Sequence, residues 1–163
     1  EKFKILKEVF SVIDLGAAPG SWSQYLSQKI QNGKILAIDL LEFEKINKVE
    51  QLIGDFTEET YKQKIREYFN KKVDLVVSDM AVNTTGNKNL DSIVTGELSI
   101  EALNFSTKIL KKQGSFVSKI FMGSSFNEIV AIAKKKFKEV NIFKPPASRR
   151  DSKESFIICK ILR

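Results

Sequence analysis

The chain has 163 residues of which 42% are hydrophobic, the size and composition of one domain with a buried core. Its 27 Lys and Arg against 20 Asp and Glu leave a net charge of +7, a balance that favours a polyanionic partner such as nucleic acid. Histidine is absent, which excludes Ser-His-Asp and Cys-His hydrolases and imidazole metal sites and leaves Lys, Asp and Glu for proton transfer.

No apolar run approaches the ~20 residues that span a bilayer, and the opening Glu-Lys-Phe-Lys-Ile-Leu-Lys lacks the apolar core of a signal peptide. A soluble, cytoplasmic, monomeric protein is expected. Cys159 is the single cysteine and falls in a predicted strand, so it is read as a small core residue.

The first element is an apolar run from Ser11 that ends in Asp14, turns through Gly16 and Gly20, and enters a helix with Trp22, Tyr25 and Leu26 at helical spacing. Such a strand, turn and helix puts a ligand at the carboxyl end of the first strand of an open α/β sheet. The spacing Gly16-x-x-x-Gly20, with Pro19 deleting an amide donor and Asp14 adding a negative charge, is poor for a dinucleotide pyrophosphate. A ligand with a cation there, such as the ammonium and sulfonium of S-adenosylmethionine, fits better. Trp22 either borders such a ligand or packs the first helix.

Gly33 to Asp39 reads as a second buried strand ending in an acid, and Val49 to Asp55 as a third. Tyr61, Ile65, Tyr68 and Phe69 mark one face of a helix between 57 and 70. The run Val73 to Asp79 has the continuous apolar character of a strand buried on both faces. Residues 81–91 read as a polar loop. A helix striped by Leu98, Ala102, Phe105 and Ile109 is predicted to stop at Gly114, before a strand over 115–120 that contains Lys119. Ser124 or Ser125 caps a helix striped by Phe126, Ile129, Ala133 and Phe137. A sixth strand is expected over 140–143, a loop over 145–153, and a last strand opening at Glu154.

Alternating strands and helices predict an α/β fold of the Rossmann-like kind, with a mainly parallel sheet of about seven strands and helices on both faces. Only a loop separates the last two strands, so they should pair antiparallel. In that topology Asp14, Asp39, Asp55, Asp79 and Lys119 end five parallel strands, and Glu154 starts a strand running the other way, so all six reach one sheet edge. Asp39 suits the hydroxyls of a ribose and Asp55 the exocyclic amine of adenine. Asp14 and Asp79 flank the place of the cationic part. No metal is expected, because four acids spread over four strands lack local ligand spacing.

The segments Asp14-Leu-Gly-Ala-Ala-Pro-Gly-Ser-Trp-Ser-Gln, Ser78-Asp79-Met-Ala, the Lys119 strand and Ala147-Ser-Arg-Arg-Asp-Ser-Lys-Glu154 together resemble the FtsJ/RrmJ family. These are S-adenosylmethionine-dependent RNA ribose 2'-O-methyltransferases, and the bacterial type modifies a uridine of large-subunit ribosomal RNA. The resemblance covers nearly the whole chain. It implies a Lys-Asp-Lys-Glu tetrad whose last three members are Asp79, Lys119 and Glu154, and cofactor contacts from Gly20, Trp22, Asp39, Asp55 and Asp79, beside Asp14 and Gly16 of the turn. The family's first tetrad lysine lies farther upstream of the glycine turn than Lys4 does, so the chain is expected to begin after it and Lys4 to be a surface residue. Val82, Thr84 and Thr85 depart from the family in the substrate loop.

The expected reaction is attack of an RNA 2'-oxygen on the cofactor methyl, with much of the rate supplied by positioning. Lys119 would orient the hydroxyl and, in its neutral form, take its proton. Arg149, Arg150 and Lys144 are the expected phosphate contacts. Transfer RNA or another RNA as target, a nicotinamide dehydrogenase, and a catalytically silent RNA-binding module on the same fold are the rival readings.

Overall fold

A computed structural model describes residues 2–81 and 85–163; Val82 and Thr84 lie outside them. The elements are β1 (Ser11–Leu15), α1 (Ser21–Lys29), β2 (Lys34–Asp39), β3 (Val49–Ile53), α2 (Glu59–Phe69), β4 (Val73–Ser78), α3 (Lys88–Ile109), β5 (Leu110–Phe121), α4 (Phe126–Lys136), β6 (Phe137–Phe143) and β7 (Glu154–Leu162). Seven strands form one sheet in the order β3-β2-β1-β4-β5-β7-β6. Pairs from β3 to β5 are parallel, and β7 runs antiparallel to both β5 and β6. The chain therefore lays β2 and β3 to one side of β1, then crosses to build β4 and β5 on the other. The point of reversal lies between the carboxyl ends of β1 and β4, where open α/β sheets hold ligands.

Alternation along each strand divides the core. Ile13, Leu15, Leu36, Ile38, Val76, Phe116 and Ile120 face a cluster closed by Ile65 and Phe69 of α2, Ala102 and Phe105 of α3, and Ile129 of α4. Val12, Ile35, Leu75 and Val77 point the other way, toward Leu26 of α1 and Ile30 just past its end, with Ile5, Leu6 and Val9 of the first segment packed alongside. Cys159 lies in the first cluster, fully buried, and burial pushes its thiol up to about 12, so it serves packing.

Several boundaries differ from the periodicity reading. Helix α3 begins at Lys88, inside the expected loop, because the Asn87 side chain accepts a hydrogen bond from the Leu90 amide and caps it. It ends at Ile109, and Gly114 lies within β5 rather than at a helix stop. A side chain at Gly114 would press within 2.9 Å of Leu110 Cδ2 and the Lys111 carbonyl, beside the register shift between Val73 and Leu75. Phe137 opens β6 instead of closing α4. Ser125 occupies the N-cap of α4 without a capping hydrogen bond from its side chain.

Candidate active site

The glycine turn is shaped by what crowds it. Gly16 (φ +71°) and Gly20 (φ +108°) hold left-handed conformations, and a Cβ at Gly16 would lie 2.5 Å from Met80 Cγ. The Gly16 and Ala17 amides both donate to the Ile38 carbonyl, at 2.9 and 3.1 Å, which ties the turn to the end of β2. Asp39 completes the tie, accepting from the Ala18 amide at 3.0 Å through one oxygen and from the Leu41 amide at 2.9 Å through the other.

Beside this turn a cavity of about 600 Å³ opens over the sheet edge, lined among others by Gly16, Asp39, Asp55, Met80, Asp79 and Lys119. Its acids stand at the ends of β2, β3 and β4, and its apolar walls come from Ile38, Leu40, Leu41, Phe56 and Leu98. Asp55 uses Oδ1 to accept from the Thr57 amide (2.9 Å) and hydroxyl (2.7 Å), which fixes its orientation at the rim. Leu40 and Leu41 are exposed beside it. Spacing at strand ends found the acids. The apolar walls carry no such spacing, and their signal in the sequence is the pair of leucines following Asp39, which no strand or helix period explains.

At the far end of the cavity Lys119 Nζ lies 2.5 Å from Asp79 Oδ1 and 3.9 Å from Glu154 Oε1. Pairing of β5 with β7 makes this possible: Lys119 stands opposite Phe156, and Phe121 opposite Glu154, so the antiparallel strand returns its first residue to the edge where β5 ends. The contact with Asp79 is a close ion pair that misses hydrogen-bond alignment, and Asp79 Oδ1 is buried with no hydrogen-bond donor among the described residues. The Asp79 backbone is fixed separately, its amide donating to Leu15 O at 3.1 Å. Asp79, Lys119 and Glu154 are thus brought together.

Asp14 and Trp22 fall elsewhere. The Asp14 side chain is on the α1 side of the sheet, fully buried, where Oδ2 accepts from Ser23 Oγ at 2.6 Å. Its Oδ1 has no hydrogen-bond partner among the described residues, and burial, with Asp79 and Asp39 nearby, raises its carboxyl to about 7. Strand parity places it there, since Asp14 shares a face with Val12. Trp22 packs against Phe156 with ring centroids 5.8 Å apart, and lines a second, largely apolar cavity of about 670 Å³ with Lys4, Lys7, Tyr25 and Val117. Its ring therefore does not wall the acid-lined crevice. Gly20 is also outside it, its turn closed by a 2.7 Å bond from its amide to Ala17 O and its α face against Phe43 and Ile46. Lys4 is exposed, in a left-handed turn.

Arg149 and Arg150 are exposed in the loop before β7. Lys144 braces that loop, donating to the Ser152 carbonyl at 2.7 Å and to Arg150 O at 3.4 Å.

An open sheet of this order, with a glycine turn and acids at the switch point and an ion-paired lysine at its end, is the Rossmann-like methyltransferase fold. The match to the family described as FtsJ-like methyltransferase runs over residues 1–162, and the chain belongs to it. It is 63% identical to the ribosomal RNA large subunit methyltransferase E of Pelagibacter ubique, over 100% of this chain and 80% of that protein. Identity to the protein of the same name from Rickettsia akari is 45%, over 97% and 72%. A solved structure described as a ribosomal RNA methyltransferase from Plasmodium falciparum superposes with a TM-score of 0.85 at 27% identity, covering 99% of this chain and 91% of that one. No helix among the described residues is long and apolar enough to cross a membrane.

Proposed function

We propose that this methyltransferase transfers a methyl group from S-adenosylmethionine to a ribose 2'-hydroxyl of large-subunit ribosomal RNA, in the cytoplasm, as one domain and as a monomer. The observation that carries this is the Asp79–Lys119–Glu154 group at the end of an acid-lined crevice. The donor set suits the cofactor. Asp39 and Asp55 offer carboxylates for a ribose and an adenine amine, and Leu40, Leu41 and Phe56 offer an apolar wall for the base. Asp79, a carboxylate that lines the crevice beside Lys119, suits a cationic group. The cofactor supplies a sulfonium-bound methyl group that needs no further activation.

What the chain must supply is the nucleophile's position. Lys119, held by two carboxylates on neighbouring elements, is aimed from the rigid β5 strand, and its ammonium can donate to a hydroxyl oxygen and fix its position. Glu154, at 3.9 Å, is close enough to restrain the ammonium and far enough to leave room beside it. Arg149 and Arg150 lie in the loop that leads into Glu154, so phosphate binding and the catalytic edge share one segment. The relatives' shared name favours large-subunit ribosomal RNA over transfer RNA.

The test is methyl transfer from labelled cofactor to ribosomal RNA, assembled large subunits and transfer RNA, followed by mapping of the modified nucleotide. A 2'-O-methylribose in large-subunit RNA is the expected outcome. Labelling of a base, or of transfer RNA alone, would overturn the assignment. Cofactor and RNA binding without transfer would leave the fold a silent RNA-binding module.

A further inference from the structure

Asp14 is a buried ionisable group for which the proposed chemistry has no direct use. It is the fourth residue of β1, in register with Ala37 of β2 and Val77 of β4, so apolar residues flank it within the sheet. The polar group facing it from α1 is Ser23, and the charges that reach it are Asp79 and Asp39, at the ends of the two neighbouring strands; Asp79 in turn carries Lys119. A fully buried carboxyl with an unpartnered oxygen, beside Asp39 and an Asp79 whose charge Lys119 offsets, is a group whose ionised form an added positive charge would favour.

We infer that Asp14 is a positioning residue that gives up its proton when the cationic methyl donor enters the crevice, and takes one back when the sulfonium charge is lost. The inference rests on the cofactor assigned above. Its geometry is specific to this strand: Asp14 sits two residues before Gly16, and its bond to Ser23 links the start of the glycine turn to the first turn of α1. Burial and the two neighbouring acids hold the carboxyl near 7, where a modest added cation changes its protonation, while Ser23 pulls the other way. A sulfonium and an ammonium together outweigh the donor's single carboxylate. The demethylated product, S-adenosylhomocysteine, keeps the ammonium and carboxylate and has no net charge. Donor affinity should therefore rise with pH through neutrality, and product affinity should rise much less. At alkaline pH the site would then discriminate in favour of the donor.

The experiment is calorimetric titration of the full chain with S-adenosylmethionine and with S-adenosylhomocysteine at pH 6, 7 and 8, each in two buffers of different ionisation enthalpy. A carboxyl centred near 7 passes from about a tenth to about nine-tenths ionised across that window, so donor affinity should gain up to about tenfold. Proton release should accompany donor binding most strongly in the acid half of the range, and product affinity should change by less than about threefold. Asp14→Asn should make donor affinity nearly independent of pH. Ser23→Ala, which removes the bond that favours the ionised form, should move the midpoint to higher pH, and this variant and the unmodified chain decide the matter even if Asp14→Asn does not fold. Parallel pH slopes for the two ligands, or proton release that persists in Asp14→Asn, would overturn the inference alone. Binding of neither ligand would overturn the cofactor assignment and this inference with it.

Discussion

Strand β4 carries an aspartate near each end, and the two are treated in opposite ways. Asp74, at the amino end, accepts from the Phe10 amide (2.9 Å), the Ser11 amide (3.0 Å) and the Ser11 hydroxyl (2.9 Å) through Oδ2, and pairs with Lys111 at 2.6 Å through Oδ1. Burial opposes its charge, yet Lys111 and these donors hold its carboxyl below the usual range. Asp79, just past the carboxyl end, has a buried oxygen without a hydrogen-bond donor, and Asp14 one strand away has another. Four donors on one carboxylate at the amino edge, against a single ammonium on Asp79 Oδ1 and no donor on Asp14 Oδ1 at the other, are not two degrees of the same packing. The amino edge is finished within the protein, whereas the carboxyl edge carries negative charge that a cationic ligand can complete.

The largest effects should separate the two edges by kind of loss. Lys119→Ala should lower turnover by roughly 10²- to 10⁴-fold, with cofactor affinity and melting temperature little changed. Asp39→Ala should show the reverse split, weakening cofactor binding before it affects the rate at saturation. If Lys119→Ala abolished cofactor binding in a folded protein, the division of labour along the crevice would be wrong. Asp74→Ala should act on stability, by about 3 kcal/mol, since it leaves two amides and a hydroxyl without their acceptor and Lys111 without its partner. Chemical denaturation measures this, and a loss below about 1 kcal/mol would show that the amino edge is not the stabilising one.

Protonation sharpens the contrast. Asp74 has its folded value below its ordinary one, so its contribution is present above the ordinary carboxylate range and is lost as pH falls below that range and through the lowered folded value. Asp14 has its folded value raised from 3.8 to about 7, so its contribution is complete below about 4 and is lost as pH rises through 7. Asp14→Asn, which cannot ionise and can still accept from Ser23, should therefore gain about 2 kcal/mol on the unmodified chain at pH 8 relative to pH 5, a fraction of the full shift at about 1.4 kcal/mol per unit. Melting temperatures across that range check it. Parallel curves for the two proteins would mean that water or backbone movement relieves the buried charge.

How far the sequence discloses these edges depends on which physical rule governs each residue. Strand ends are marked by hydrophobic runs, and five parallel strands bring their last residues to one edge whatever their packing, so Asp39, Asp55, Asp79 and Lys119 were legible, as was Glu154 once β7 was read as antiparallel. Direction across the sheet was not. Asp14 ends an apolar run and so reads as a crevice residue, but β1 continues to Leu15, and parity turns Asp14 toward Ser23. Gly114 reads like a helix terminator, and only the close approach of the Lys111 carbonyl and Leu110 shows that it permits an irregular strand. Trp22 could have faced either cavity, since helical spacing fixes a stripe and not the partner across it; Phe156, far along the chain, supplies that partner. A lone acid inside an apolar run, such as Asp74, has no local partner to mark it: its donors are Lys111, 37 residues away, and Phe10 and Ser11, more than 60 residues away.

The smallest expected effect concerns the cations, and the same distinction between committed and available groups applies to them. Lys111 is committed to Asp74, and Lys144 is partly committed to the carbonyls of Arg150 and Ser152, while the side chains of Arg149 and Arg150 have no hydrogen bond or ion pair among the described residues. Each phosphate contact to single-stranded RNA contributes roughly −0.7 to the slope of log affinity against log salt. Arg149→Glu with Arg150→Glu should then flatten that slope by about 1.4 if each arginine meets one phosphate, with cofactor affinity unchanged. Lys144→Ala should alter it by less than one contact's worth, and should act instead by loosening the loop, which shifts affinity at every salt concentration in similar proportion. Filter binding of an unpaired ribosomal RNA fragment over a salt series distinguishes a change of slope from a parallel displacement. A larger slope change from Lys144→Ala than from the double arginine variant would reverse the assignment, making the brace the phosphate contact and the arginines bystanders at the edge.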